Sequence, residues 1–363
     1  CWASQAGNAS LSSRATELLI RATLSLLLVV TVTSVSEGHV GRADFNQKKT
    51  DRVNTSAVAP QATEADALTA VKLATNPTTK LAAAEDFIAK FPRSTSRLHV
   101  AELVAAELKK VQNGTVAVTL IQRAQSIFTA QDEWTILKPV ALDAFVKGNL
   151  VDEAFTLATD MLAKNPDDLL VLTTMCRAGS EEAKKRNQKY VDASLQYGLK
   201  AIALIEANKR PATLDENSWS AHKANLGPLY QQTAILYLSL SNTDEAKRRL
   251  TKASELQPHE PSNFALLGRV LNSAYKDQMK AYEAMAPGPA KQETLKRLDE
   301  SLDTIIELYA RAAGLATGRA EHQVLLQQII PDLTTYYKYR HNQSTDGLQQ
   351  LINKYRIRPT RLD

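Results

Sequence analysis

The sequence predicts an all-α fold built from repeated helix pairs. Beyond Glu64 almost every segment carries apolar residues at helical spacing and is rich in Ala, Leu, Lys, Glu and Gln, which favour helices. Few segments alternate apolar and polar residues as strands do. The 34 residues 227–260 also form a pattern of two amphipathic helices joined by a short turn. Such a pair buries its apolar faces only when copies stack, so the sequence predicts a helical solenoid.

Composition excludes several other classes of protein. The chain has 363 residues, 44% of them hydrophobic, which is enough for a substantial core. Its 2 cysteines are too few for a disulfide scaffold. The formal net charge of +5 is small for this length, so we expect no nucleic-acid partner.

Residues 1–36 have the profile of a signal peptide. Arg14 and Arg21 precede an uncharged, mainly apolar stretch at 22–36, and Ser34 and Ser36 place small side chains before a cleavage after Ser36. The apolar run is shorter than the ~20 residues that span a bilayer. We therefore expect export to a periplasm or the extracellular space. The alternative is a short N-terminal anchor, and a membrane contact is expected only if the segment stays uncleaved.

The segment 37–62 mixes small, charged and proline residues without an apolar period, which predicts a flexible linker. The region 63–261 is then predicted to hold the helical repeats.

The clearest repeat is 227–260, where residue size follows the needs of helix packing. Small residues stand where two helices must approach closely, and large residues fill the space beside them. The small residues are Ala234, Ala246 and Ala253, and the large ones are Tyr230, Tyr237 and Leu250. Pro258 is expected to end the second helix, because proline lacks an N–H group and clashes with the preceding turn. This pattern resembles the tetratricopeptide repeat (TPR), of a bacterial exported type.

A second repeat is predicted at 135–168. Ala154 lies twelve residues before Pro166, the same offset that separates Ala246 from Pro258. The matching packing positions are Phe145, Ala154, Met161 and Pro166. In both repeats an Asn three residues before an acidic residue, Asn149 and Asn242, is predicted to cap the second helix.

The remaining helices are predicted to be less regular. Residues 168–176 and 181–207 predict one degenerate pair, followed by an inserted loop at 208–217. Beyond 261 the 34-residue period is lost. The region 262–363 therefore predicts longer helices and a final helix that caps the array.

The resemblance to TPR proteins implies an α-α superhelix of right-handed sense, whose concave groove binds a protein or peptide segment. Its groove positions correspond in 227–260 to Gln231, Ile235, Leu238 and Ser239, which are neither basic nor strongly charged. The Lys and Asn clamp that holds the carboxylates of chaperones in some family members is therefore not expected at these positions. A mixed apolar and amide groove is expected to take an extended or helical segment.

The sequence predicts no catalytic, cofactor or metal site. None of the six histidines lies within four residues of another or of a cysteine, so metal-ligand spacing is missing. The motifs GxSxG, HExxH, GxxxxGK[ST] and GxGxxG are also missing. Cys176 follows Met175 in an apolar stretch and is expected to be buried and unreactive.

Three functions stay open at this point. The first is a noncatalytic scaffold or adaptor for other proteins. The second is a structural subunit that self-associates through the ends of the solenoid. The third is a binder of an anionic glycan or lipid, because the C-terminal region holds the aromatic and basic run 336–340 and the cations Arg356, Arg358 and Arg361.

Overall fold

The computed structural model describes residues 63–211 and 214–356, and within these ranges every regular element is helical. The all-α prediction is therefore confirmed. The predicted signal peptide and linker lie outside the described residues, as do Arg358 and Arg361. In the described ranges no helix is both long and apolar enough to cross a membrane.

The first six helices form three successive pairs, each packed on the next along the chain. They are α1 (Glu64–Leu73), α2 (Pro77–Lys90), α3 (Arg97–Leu108), α4 (Gly114–Ile127), α5 (Gln131–Lys147) and α6 (Val151–Lys164). The predicted repeat 135–168 corresponds to α5 and α6.

The next five helices contain the other predicted repeat, 227–260, and one insertion. They are α7 (Leu169–Lys184), α8 (Val191–Glu206), α9 (Glu216–Ala224), α10 (Leu226–Ser239) and α11 (Thr243–Leu256). The repeat 227–260 corresponds to α10 and α11. The short helix α9 begins at the end of the predicted loop 208–217, continues beyond it, and was not predicted.

The last four helices include two that are much longer than the other helices described. They are α12 (Pro261–Glu283), α13 (Pro289–Ala316), α14 (Gln323–Arg340) and α15 (Leu348–Lys354), with one 3₁₀ turn at Ala320–His322.

The predicted boundary between α7 and α8 is wrong. Instead of ending at Cys176, α7 continues to Lys184, and α8 begins at Val191. Gly179 lies within α7 beneath α8, where a Cβ atom would come 1.8 Å from Ser194 Oγ. The glycine therefore permits a close helix contact and does not end the helix.

The predicted cap at Asn149 is also wrong, whereas the one at Asn242 is confirmed. Asn242 accepts a hydrogen bond from the Glu245 amide at 3.2 Å. Asn149 instead has a left-handed backbone, with φ 59°, and forms the C-terminal turn of α5, in which the Leu150 amide donates to the Phe145 carbonyl. Only two residues separate α5 and α6 beyond Gly148, so Asn149 ends one helix and cannot cap the next.

Buried apolar residues form five overlapping clusters that succeed one another along the chain. The predicted packing residues Ala154, Ala234, Ala246, Leu250 and Ala253 are completely buried in them. Tyr230 is buried as well, whereas Tyr237, Phe145 and Met161 are half-buried. Pro166 and Pro258 are exposed and follow the ends of α6 and α11. A chain of local cores is the expected arrangement for a stack of helix pairs.

Contacts between alternate helices align the stack. In the series α1, α3, α5, α7 and α10 each helix before α10 packs on the following one, the hydrogen bond from Gln231 to Asn263 joins α10 to α12, and α12 packs on α14. We call these seven the inner helices. Together they place side chains from separate repeats beside one another.

Candidate functional site

The four predicted groove residues line a single cleft of about 610 Å³, which we call the α10 cleft. Ile235 lies four residues after Gln231, and Leu238 and Ser239 lie three and four residues after Ile235, so all four share one side of α10. The other walls come from the end of α7, from α12 and from α14. They are formed by Ala183, Lys184, Arg186, Gln188, Ser262, Leu266, Arg269 and Leu325.

The α10 cleft contains four branched aliphatic side chains contributed by three inner helices. Ile235 is buried, whereas Leu238, Leu266 and Leu325 are partly exposed. Burying their remaining apolar surface against a ligand would be favourable by roughly 25 cal/mol per Å². The cleft therefore offers an apolar floor to a bound side chain.

Three cations stand around this apolar floor, and the groove positions of a single repeat did not predict them. They are Lys184 at the end of α7, Arg186 just after it, and Arg269 on α12. Lys184 Nζ lies 2.7 Å from Glu181 Oε1, so this cation is partly neutralised. Arg269 donates to Gln328 Oε1, an uncharged group. Among the described residues, Arg186 and Arg269 form no ion pair.

Gln231 helps to build the cleft wall. Its Nε2 donates to Ser262 Oγ at 2.8 Å and to Asn263 Oδ1 at 2.6 Å, which ties α10 to the first turn of α12. Asn263 is completely buried, and its Nδ2 donates to the Ala253 carbonyl of α11 at 3.2 Å. These bonds hold three helices together at the edge of the cleft.

The turn after α7 places Arg186 at the cleft. Arg186 has a left-handed backbone with φ 67°, and the Asn187 amide donates to the Glu182 carbonyl at 3.0 Å. The Glu182 carboxylate accepts from Lys185 Nζ at 2.7 Å and from Asn187 Nδ2 at 2.8 Å. Both hydrogen bonds lower the pKa of Glu182, so the carboxylate that closes the turn stays ionised.

A second cleft, of about 580 Å³, lies between α7, α9 and α10, and we call it the α9 cleft. Its α7 residues, Leu170, Thr173, Thr174 and Arg177, recur at helical spacing, and the same spacing continues to Lys184 in the α10 cleft. The two clefts therefore follow one another along the inner face of α7. Arg177 forms no ion pair with any described residue.

The unpredicted helix α9 supplies His222 to the α9 cleft. Burial lowers the pKa of His222, and the negative charge of Asp168 opposes this change only in part. The neutral imidazole is thus favoured inside the fold more than it is in an unfolded chain.

The C-terminal cations that belong to the described residues are mostly paired. Arg340 donates to both carboxylate oxygens of Asp303, at 2.8 and 2.9 Å, and lies 3.0 Å from Asp299. Lys354 lies 2.9 Å from Glu307. In the run 336–340, the Tyr336 hydroxyl donates to Asn272 Oδ1 at 2.6 Å, which joins α14 to α12. These groups bind the helices to one another, whereas Arg356 is exposed.

Other candidate chemistry is sparse in the described part of the chain. No group of three His, Cys, Asp or Glu side chains there is placed to hold a metal ion. Cys176 is buried, as predicted, and burial raises the pKa of its thiol to about 12. The thiolate is therefore strongly disfavoured at neutral pH.

Comparisons with known proteins leave the family open. No family model matches the sequence, and no curated protein matches it. One similar solved structure is the crystal structure of the APC/C hetero-tetramer Cut9-Hcn1, with 12% sequence identity and a TM-score of 0.24. The alignment covers 84% of this chain and 65% of that chain, so this chain spans just under two thirds of the other's length.

Proposed function

We propose that this chain is a noncatalytic, TPR-like scaffold or adaptor that binds a segment of another protein in the α10 cleft. The observation that carries the proposal is the convergence of four inner-helix regions on one apolar floor with a polar rim. Recognition clefts combine aliphatic surface with a few placed polar groups in the same way. Here Ile235, Leu238 and Leu266 would desolvate an anchor side chain.

Polar groups at the rim of the α10 cleft can form hydrogen bonds with the main chain of a bound segment. The Gln188 amide can donate to and accept from the peptide bonds of an extended segment, and the Ser239 hydroxyl oxygen can accept from them. Ser239 Oγ already donates to the Ile235 carbonyl at 3.2 Å, which leaves its lone pairs toward a ligand donor. The described lining of the cleft contains no His, Cys, Asp or Glu, which supports binding over general acid–base chemistry.

A peptide library displayed on phage tests this function. We expect selection on the full chain to yield peptides whose affinity falls at least tenfold with Leu238→Glu, because the substitution puts a charge on the apolar floor. The matched control is Leu256→Glu, an exposed leucine near the end of α11 in the same repeat. Peptides that bind both variants equally well would place the binding site outside the α10 cleft.

We further propose that the protein is exported to a bacterial-type periplasm or the extracellular space. The supporting observation is the charged segment at Arg14 and Arg21 followed by the apolar stretch 22–36. N-terminal sequencing of the secreted protein should begin at Glu37. Replacing Leu26 and Leu28 by Arg should retain the protein inside the cell, and export of that variant would contradict the proposal.

Light scattering separates the adaptor from a self-assembling subunit. For the chain from Glu37 onward, we expect a particle of constant mass across a concentration series. Growth into oligomers with concentration would instead favour stacking through the solenoid ends.

A further inference from the structure

We propose that the segment bound in the α10 cleft is acidic, with Asp or Glu residues flanking an aliphatic anchor. This inference rests on the proposed function and names the chemistry of the partner. The supporting observation is the positive charge around the cleft. This charge comes from residues other than the four predicted groove residues, which are uncharged.

The described cleft lining contains three cations and no carboxylate. Only Lys184 has an acidic neighbour, Glu181. Arg186 is exposed without an ion-pair partner among the described residues, and the partner of Arg269 is the neutral Gln328. One turn beyond Arg269 and Gln328 the positive charge ends, because an acidic residue, Asp332 of α14, lies there. Asp332 accepts a hydrogen bond from Asn272 Nδ2 of α12 at 3.2 Å. The cleft thus presents guanidinium groups beside an apolar floor.

An acidic segment would use both features at once. An aliphatic side chain seated on Leu238 and Leu266 excludes water from the rim, and exclusion of water strengthens the attraction between a carboxylate and a nearby guanidinium. Arginine can also hold a carboxylate through two parallel hydrogen bonds. A basic segment would instead bring like charges together in the same place.

The distance between two cations on α7 predicts the spacing of acidic residues in the bound segment. Arg177 of the α9 cleft and Lys184 of the α10 cleft lie seven residues apart on the same face of α7. A helix rises about 1.5 Å per residue, so roughly 10 Å separates them along the axis. An extended chain covers that length in about three residues. We therefore expect acidic residues about three positions apart in the bound segment.

We expect the acidic segment to belong to another protein, because the segments 37–62 and 357–363 of this sequence are not acidic. Residues 37–62 contain four basic and three acidic residues, and residues 357–363 contain two basic and one acidic residue. Neither segment complements a positive cleft. A second copy of a chain with net charge +5 is disfavoured for the same reason.

The library selection also tests this inference, because the composition of the selected peptides is a separate readout from their binding. We expect peptides that depend on Leu238 to be enriched in Asp and Glu. One selected peptide, made with a fluorescent label, is then compared by anisotropy with versions in which every acidic residue is amidated to Asn or Gln, or every aliphatic residue is replaced by Ser. Each replacement should weaken binding at least tenfold, and binding of the acidic peptide should weaken as salt rises.

Variants that remove positive charge test whether Arg186 and Arg269 cause the preference for acidic peptides. The double variant Arg186→Gln, Arg269→Gln should lose at least tenfold in affinity for the acidic peptide and little for its amidated version. The control is Lys72→Gln, Lys247→Gln, which removes the same charge from exposed helix positions outside the cleft and should keep the original affinity. Unfolding curves of both variants check that the fold is kept.

The possible failures are distinct. Leu238-dependent peptides of neutral or basic composition would overturn the acidic preference and leave the proposed function intact. Equal loss of affinity in the two double variants would also overturn the preference, since net charge and not the cleft would then control binding. A selection without any Leu238-dependent peptide would overturn the proposed function itself.

Discussion

The Gln231 side chain donates a hydrogen bond to Oδ1 of Asn263 across 2.6 Å, from α10 to α12. Asn263 has no exposed surface, and its Nδ2 donates a second hydrogen bond to the Ala253 carbonyl of α11. The edge of the α10 cleft is therefore fixed by a buried polar link between two successive repeats, in addition to apolar packing.

Asn263→Ala should destabilise the protein by about 1–3 kcal/mol, because the substitution removes two hydrogen bonds, the one from Gln231 and the one to the Ala253 carbonyl, which keeps only its bond from the Gln257 amide. Denaturant unfolding measures the change. Asn217→Ala, at an exposed position in α9, is the control and should change stability by less than about 0.5 kcal/mol. Similar values for the two variants would show that the buried link contributes nothing.

Gly179→Ala should destabilise the fold by at least about 1–3 kcal/mol, since the added Cβ would lie 1.8 Å from Ser194 Oγ and 2.4 Å from Ser194 Cβ. The double variant with Ser194→Gly should recover much of this loss, because it removes both clashing atoms. Thermal unfolding of the single and double variants measures the coupling. An unchanged midpoint for Gly179→Ala would contradict the close approach of α7 and α8.

Arg97→Ala should cost about 3–5 kcal/mol, as expected when a buried carboxylate loses its cation. The Arg97 guanidinium donates to both oxygens of Glu133, at 2.5 and 3.0 Å, and the Glu133 side chain is only 2% exposed. Arg123→Ala breaks a comparable but exposed pair with Glu85, and should cost less than about 1 kcal/mol. Urea unfolding of both variants distinguishes the two environments, and equal costs would contradict the burial of Glu133.

His222 should make the free energy of unfolding depend on pH in the mildly acidic range. Its pKa is lower in the folded state than in the unfolded chain, because burial disfavours the imidazolium. The unfolded state therefore binds more protons, and stability that is present above the unfolded pKa is lost as pH falls toward the folded pKa. His222→Gln should flatten the profile of unfolding free energy between pH 7 and pH 5. Parallel profiles for the two proteins would exclude this role.

Cys176 should react with a thiol reagent only when the protein unfolds. Burial of the side chain and a thiol pKa of about 12 both protect it in the native state. The measurement uses Cys1→Ser, so that a single thiol remains, and follows labelling in increasing urea. Rapid labelling in the absence of urea would show that the middle of α7, around Met175 and Cys176, opens locally.

Regular packing made much of the fold predictable. The small residues Ala154, Ala234 and Ala246 are completely buried because close helix pairs admit only small side chains there, and this pattern is visible in the sequence. Helix ends were less predictable when one residue could serve two purposes. The helix predicted to end at residue 176 continues past Gly179, which permits close packing on α8, and Asn149 ends α5 and does not cap α6.

The candidate site was predictable only in part, for a similar reason. The repeat pattern placed Gln231, Ile235, Leu238 and Ser239 on one face, and the structure brings them to one cleft. Lys184, Arg186 and Arg269 belong to neighbouring repeats, so the positions of a single repeat carry no information about them. The internal bonding of Gln231 also depends on Asn263, a residue 32 positions away.

The left-handed backbone of Arg186 has one more consequence. The other non-glycine residues with a left-handed backbone in the described chain are Asn149, Asn208, Ser241, Asn342 and Gln343, and asparagine adopts this conformation more readily than arginine. Arg186→Asn should therefore raise the unfolding temperature slightly while weakening the binding of an acidic segment. One substitution would then raise thermal stability and lower binding affinity, as in other proteins whose binding sites retain less than optimal stability.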